Sequence, residues 1–290
     1  MSEAQRPATH ARHYCEPPQK TDPDGTRHWI TRAANFVTVL SQAPAGAVLP
    51  RNNPDEYMVL LPPGTQALAE ANGEAGGEGV DSKGDSLFIV PPGESRVTVR
   101  KAGTVVRVFS NKAADLAAAA VNAATYADGA AEVAPILPWP DPVGGFRLRH
   151  YDLSKTASPD PSPLKMRLFR STNLMMNIFL PWTSRRDEKK LSPHSHEDFE
   201  QMSLSLKGSF VHHLRYPWSP DKTRWREDEH ERYDDSPAVL VIPARVVHTS
   251  QDVGQGTTWL VDIFAPPRLD FSLKPGFVLN AEEYPMPKTQ

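Results

Sequence analysis

Cysteine is almost missing from this 290-residue chain: Cys15 stands alone, which excludes an internal disulfide and any thiolate-based zinc knuckle. It lies in a polar leader with only His13 nearby to activate it, so a catalytic thiol is not expected. An excess of positive charge is missing too. Lys and Arg number 32 against 35 Asp and Glu, a formal net charge of −3, and nucleic-acid binding, which needs a basic face, has no support. No apolar run approaches the roughly 20 residues of a membrane span. The opening Met-Ser-Glu-Ala-Gln-Arg-Pro lacks a charged-then-apolar signal pattern, and a cytoplasmic protein is expected. Helical signal is sparse as well. The one good segment is Ala113–Tyr126, where alanine loses no side-chain entropy on entering a helix, and its few large side chains place it on the surface.

What is abundant is proline, 29 residues, between short strand-like runs: Phe36–Leu40, Tyr57–Leu61, Ser86–Val90, Val97–Val99 and Thr104–Phe109. The length suits two domains of about 130 to 150 residues. Laid on one another, the halves align, with Glu56 against Glu200, Tyr57 against Gln201, and Arg96 in the region of His248. An internal duplication is therefore expected. Residues 1–25 read as a loose leader or strand-edge arm, 26–135 as the first unit with its helical linker, and 146–290 as the second. The proline-rich stretch from Pro135 to Pro142 is a stiff connector. Ser184–Lys190 reads as a solvated turn. Asp221–Asp235 is longer than a hairpin needs, so either it is a mobile lid or it buries Trp225 against the neighbouring unit.

The chemistry concentrates in Pro193-His-Ser-His-Glu-Asp-Phe-Glu-Gln-Met-Ser-Leu-Ser-Leu-Lys-Gly208. On an extended strand His194 and His196 point the same way, because side chains alternate faces. A turn then brings Glu200 and Gln201 within reach. A later β-branched run, Val239–Ile242, breaks at Pro243 and closes on His248. The first half has Pro50-Arg-Asn-Asn-Pro54 in place of the paired histidines.

This layout resembles the two motifs of the cupin superfamily, and the resemblance covers the C-terminal half. It implies an all-β fold of two tandem cupin-type jelly-roll barrels with one short Ala-rich helix between them, the first barrel degenerate. It also implies one divalent metal (Zn, Ni, Fe, Mn or Cu) on His194, His196, His248 and a third-position oxygen. The family's spacing back from Gly208 lands on Gln201, while strand parity with Met202, Leu204 and Leu206 groups Glu200 with the apolar side; Gln201 is favoured because the closing glycine fixes the register. The chain departs from the family at Arg245, where the second motif usually carries glycine.

Three function classes follow. The leading one is metal-assisted isomerisation or elimination on a small sugar-acid-like or keto-acid-like metabolite, with Glu200, His212 or His213 as base and Arg268, Tyr216 and Met202 against the substrate. The second is a non-haem iron dioxygenase cleaving an aromatic ring or diketone, and the third a non-catalytic metal-dependent module. The expected partner is a small molecule, with no nucleic acid and no membrane; the oligomeric state stays open, a homodimer among the options.

Overall fold

The computed structural model describes residues 5–73, 76–162 and 164–288. Its strands form four antiparallel sheets, two in each half of the molecule. In the first half a large sheet runs Arg149–Asp152, Ser86–Val90, Tyr57–Leu61, Gly103–Ser110, Phe36–Ala43, Arg27–Arg32 and Lys20–Thr21. It faces a smaller one ordered Val48–Asn53, Gly93–Lys101, Gln66–Gly73 and Gly76–Ser82. The second half repeats the plan. Its large sheet is Thr9–Ala11, Ala238–Ile242, Gln201–Lys207, Trp259–Phe264, Met175–Phe179 and Met166–Arg170, and its small sheet Glu229–Tyr233, Phe210–Arg215 and Val247–Asp252. No helix among the described residues is long and apolar enough to cross a membrane.

The two large sheets lie back to back. Met58, Leu60, Ile89 and Val108 of one pack against Met176, Met202, Leu204 and Ile263 of the other in one continuous core. This is why Tyr57–Leu61, Ser86–Val90 and Ala238–Ile242 are buried at every position and read as unbroken apolar runs. One side chain in two fills its own barrel, and the next fills the seam.

The halves also trade edge strands. Thr9–Ala11, from the N-terminal leader, pairs with Ala238–Ile242 of the second barrel, and Arg149–Asp152, past the connector, pairs with Ser86–Val90 of the first. Each exchanged strand covers backbone groups that an open edge would leave unpaired.

A buried glutamate from each barrel anchors the other. Glu56 accepts from the Thr172 backbone N–H (3.2 Å), the Thr172 hydroxyl (2.9 Å) and the Tyr284 hydroxyl (2.8 Å). Glu200 accepts from the Ala34 N–H (2.6 Å) and the Tyr126 hydroxyl (3.0 Å). Burial pushes the Glu56 carboxyl above its ordinary 4.5, against the pull of these donors. The folded chain therefore holds that proton more tightly than the unfolded one. Its contribution to stability is complete below pH 4.5 and is lost as the pH rises through the folded value. Urea midpoints measured from pH 4 to 8 are expected to fall less steeply for Glu56→Gln than for the wild type; parallel curves contradict the assignment.

The Ala-rich segment differs from expectation. It forms a helix only over Ala114–Ala119, followed by a 3-10 turn at Ala123–Tyr126. Between them the chain is captured by the first barrel, since the Val121 N–H donates to the Ile30 carbonyl and Asn122 bonds both backbone groups of Arg32. The helix lies on the surface, as expected, with four of its six residues exposed. Ala113, Ala117 and Ala120 pack into the first barrel's core, because small side chains allow the backbone a close approach. The Asp221–Asp235 stretch does not bury Trp225 against the neighbouring unit. Trp225 stacks on Trp218 (4.5 Å, 4°) within its own excursion, and Glu229–Tyr233 joins the small sheet.

Candidate metal centre

His194 and His248 face each other across a reciprocal pair of backbone hydrogen bonds, N to O 3.1 Å and 2.8 Å. The Nδ1–H of His194 donates to the Ser192 carbonyl (2.9 Å), and that of His248 to the Val246 carbonyl (2.9 Å). A carbonyl only accepts, so both rings carry their proton on Nδ1 and turn a bare Nε2 lone pair inward. Gln201 Oε1 lies 3.3 Å from the His248 Nε2 and 3.0 Å from the His196 Nε2. At His248, then, two acceptors meet with no proton between them. A cation resolves that opposition. The ligating nitrogens of His194, His196 and His248 lie within 4.8 Å of one another, a fit for a single ion.

Desolvation keeps these rings neutral, with the His248 pKa lowered to about 3 and the His196 pKa to about 4. The amide is aimed from behind: Gln201 Nε2 donates to Ser203 Oγ (3.0 Å), which donates to Asp262 Oδ1 (2.6 Å). Gln201 opens its strand opposite Ile242, so that Gln201, Ser203 and Ser205 share the barrel's inner face. Glu200, one residue earlier, points into the seam between barrels. Arg245 takes the left-handed conformation (φ 68°) that a glycine would adopt there, and its N–H closes on the His196 carbonyl at 2.6 Å. A left-handed non-glycine residue carries strain, and this one binds the two histidine segments together.

No family model matches the sequence, and no curated protein matches it. Solved structures do. A Bacillus subtilis oxalate decarboxylase studied for its Mn(II) centres superposes with a TM-score of 0.60 at 12% identity, over 97% of this chain and 84% of that one. The oxalate decarboxylase of Lactobacillus farciminis, as a formate complex, gives 0.59 at 13% identity over 92% and 87%. AerE from Microcystis aeruginosa gives 0.55 at 11% over 92% and 100%. At such identities the likeness is one of fold. The chain has the bicupin fold.

The bicupin's second barrel also holds a pocket of about 310 Å³ that opens beside the histidines. Leu164, Phe179, Trp182, Phe210, Leu260 and Phe271 make its apolar walls, and Asn177, Arg186, Asp252, Asp262 and Arg268 its polar ones. Of the other residues considered from sequence, only Arg268 joins His194, Gln201 and His248 in the pocket's lining. It forks onto Asp270 (3.1 and 2.7 Å) and lies over the Phe271 ring (3.8 Å), which commits most of its donors. Among the candidate bases, Glu200 is in the seam, and His213 is on the outer face against His230 (2.8 Å). His212 sits behind the pocket with its Nδ1 on Ser250 (2.7 Å). Met202 belongs to the seam with its sulfur 3.0 Å from the Thr38 hydroxyl, and Tyr216 bonds Glu229 and the Ala8 N–H of the leader.

Several pocket residues were not singled out from sequence. Asp262 had a legible signal, a lone carboxylate in the apolar run Trp259–Phe264. Arg186 had none: it sits in a loop that reads as solvated, yet it reaches Ser250 and Ser192 while its N–H caps Asp252. Groups that orient metal ligands typically shift affinity by about 10 to 100-fold. Ser203→Ala, which frees Gln201 from Asp262, is expected to weaken metal binding within that range in a chelator-competition titration. Unchanged affinity removes the orienting role.

Cross-strand register shows what became of the same positions in the first barrel. Arg51 stands opposite Ser95 as His194 stands opposite His248. Arg51 bonds Asn53 (3.0 Å), and the Tyr57 hydroxyl bonds Ser95 (2.9 Å), so the four positions satisfy one another without an ion. Arg96, aligned with His248 by sequence, instead points outward onto Glu70 (2.7 and 2.8 Å). The strand after the Gly93 turn is one residue out of step, and a one-residue slip exchanges faces.

Proposed function

We propose that this bicupin is a mononuclear metal enzyme acting on a small oxygenated molecule with an apolar body. The observation that carries the reading is the meeting of bare lone pairs from His194, His248 and Gln201 at the edge of an apolar pocket. When bound, a divalent ion there supplies Lewis acidity, with one-electron chemistry as well if it is iron, manganese or copper. The chain's own part is to hold it on neutral donors, which leaves its charge free for an anionic oxygen, and to seat the substrate. Phe179, Trp182, Phe210, Leu260 and Phe271 exclude water and favour a ring or branched chain. The two oxalate decarboxylases named above act on oxalate, an acid with no apolar surface for such walls to hold.

Of the two reactions expected from sequence, the placement of side chains favours oxygen-dependent cleavage of an aromatic ring or diketone over isomerisation or elimination. Base catalysis needs a proton acceptor at the substrate. Of the bases expected from sequence, Glu200 and His213 face elsewhere, and His212 reaches the pocket only through Ser250. The carboxylates that do line it are engaged by the protein, Asp252 by the Arg186 N–H and the Thr258 hydroxyl and Asp262 by the Ser203 hydroxyl. Protein purified without chelators and matched to its native metal is expected to consume oxygen with catechols or β-diketones. Turnover of the same compounds under strict anaerobiosis, or turnover only of sugar acids, overturns this choice.

A further inference from the structure

The first barrel carries a charge-inverted counterpart of the metal site's floor. Asp262 lies between Asn177 and Ser203 on neighbouring strands of the second barrel. The same place in the first barrel, between Val39 and Val59, is held by Arg107. Its lumen neighbours Val39, Val59, Val105 and Phe109 are apolar, and only 7% of its surface is exposed. Its Nε is buried without a partner, and the guanidinium makes no hydrogen bond or ion pair among the described residues.

The charges that bear on it leave it uncompensated. Arg51 adds to the positive field and is itself committed to Asp115. Asp22 is bound by Lys20 and His28. An unpaired buried charge is strongly destabilising, and a planar guanidinium fork matches a carboxylate.

We propose that the lumen of the first barrel is a binding site for a small monocarboxylate, held on Arg107. The surrounding apolar side chains limit the ligand to a few heavy atoms and suit a short alkyl tail. The second barrel would hold a cation over Asp262, the first an anion on Arg107.

The test uses [13C]acetate in the His248→Ala background, which disables the second barrel's metal site as a competing carboxylate site. Saturable line broadening of acetate, with a matching rise in melting temperature over sodium chloride at equal ionic strength, is expected. Both are expected to vanish in His248→Ala/Arg107→Met. Should that double variant not fold, Arg107→Lys keeps the charge without the fork and is expected to weaken acetate at least about tenfold. Broadening that does not saturate, or that is unaffected by either change at Arg107, overturns the proposal.

Discussion

Replacing His248 with alanine is expected to reduce bound metal from near one equivalent to background, as read by elemental analysis of protein purified without chelators. The expectation rests on what this ring does beyond offering one lone pair. Its Nε2 opposes Gln201 Oε1 at 3.3 Å, and its backbone pairs with His194 in both directions. Loss of an orienting neighbour already weakens a metal by about 10 to 100-fold, and loss of a ligand weakens it further. The fold should survive, since the backbone bridge between residues 194 and 248 needs no side chain. Near-wild-type metal content in His248→Ala would place the ion elsewhere.

Glu56→Ala is expected to destabilise the protein by about 3 to 5 kcal/mol in urea unfolding while leaving metal content unchanged. Truncation strands three buried donors, the Thr172 N–H, the Thr172 hydroxyl and the Tyr284 hydroxyl, each costing about 1 to 3 kcal/mol when left without an acceptor. That loss is a large part of a typical total of about 5 to 15 kcal/mol. The separation of effects is the diagnostic feature, because Glu56 belongs to the first barrel and its partners to the second. A change below about 1 kcal/mol, or a parallel loss of metal, contradicts its role as an anchor between barrels.

The sequence revealed the parts of this molecule that depend on local alternation. His194 and His196 sit two apart, Gly208 closes a turn, and Pro243 precedes His248 by five residues; each reads directly as strand parity or turn chemistry. Parity also grouped Glu200 with Met202 and Leu204, and the reason is visible only in three dimensions. That face meets the other barrel, so the most apolar side of the strand is the seam, and the Gln201, Ser203 and Ser205 side is the lumen. Partners distant in the chain were out of reach. Nothing local tells that Tyr126 and Ala34 await Glu200, that Thr9–Ala11 crosses to the second barrel, or that Arg107 and Asp262 occupy corresponding places. Arg96 misled for the same reason, because alignment by letters cannot detect a strand that has slipped by one residue.

The most direct test of the account is anomalous diffraction at the absorption edge of whichever metal elemental analysis finds. The account predicts one peak in each chain, within coordination distance of His194, His196, His248 and the Gln201 oxygen, and none near Arg51, Tyr57 or Arg107. A peak inside the first barrel, or a second-barrel ion that does not touch Gln201, would contradict it.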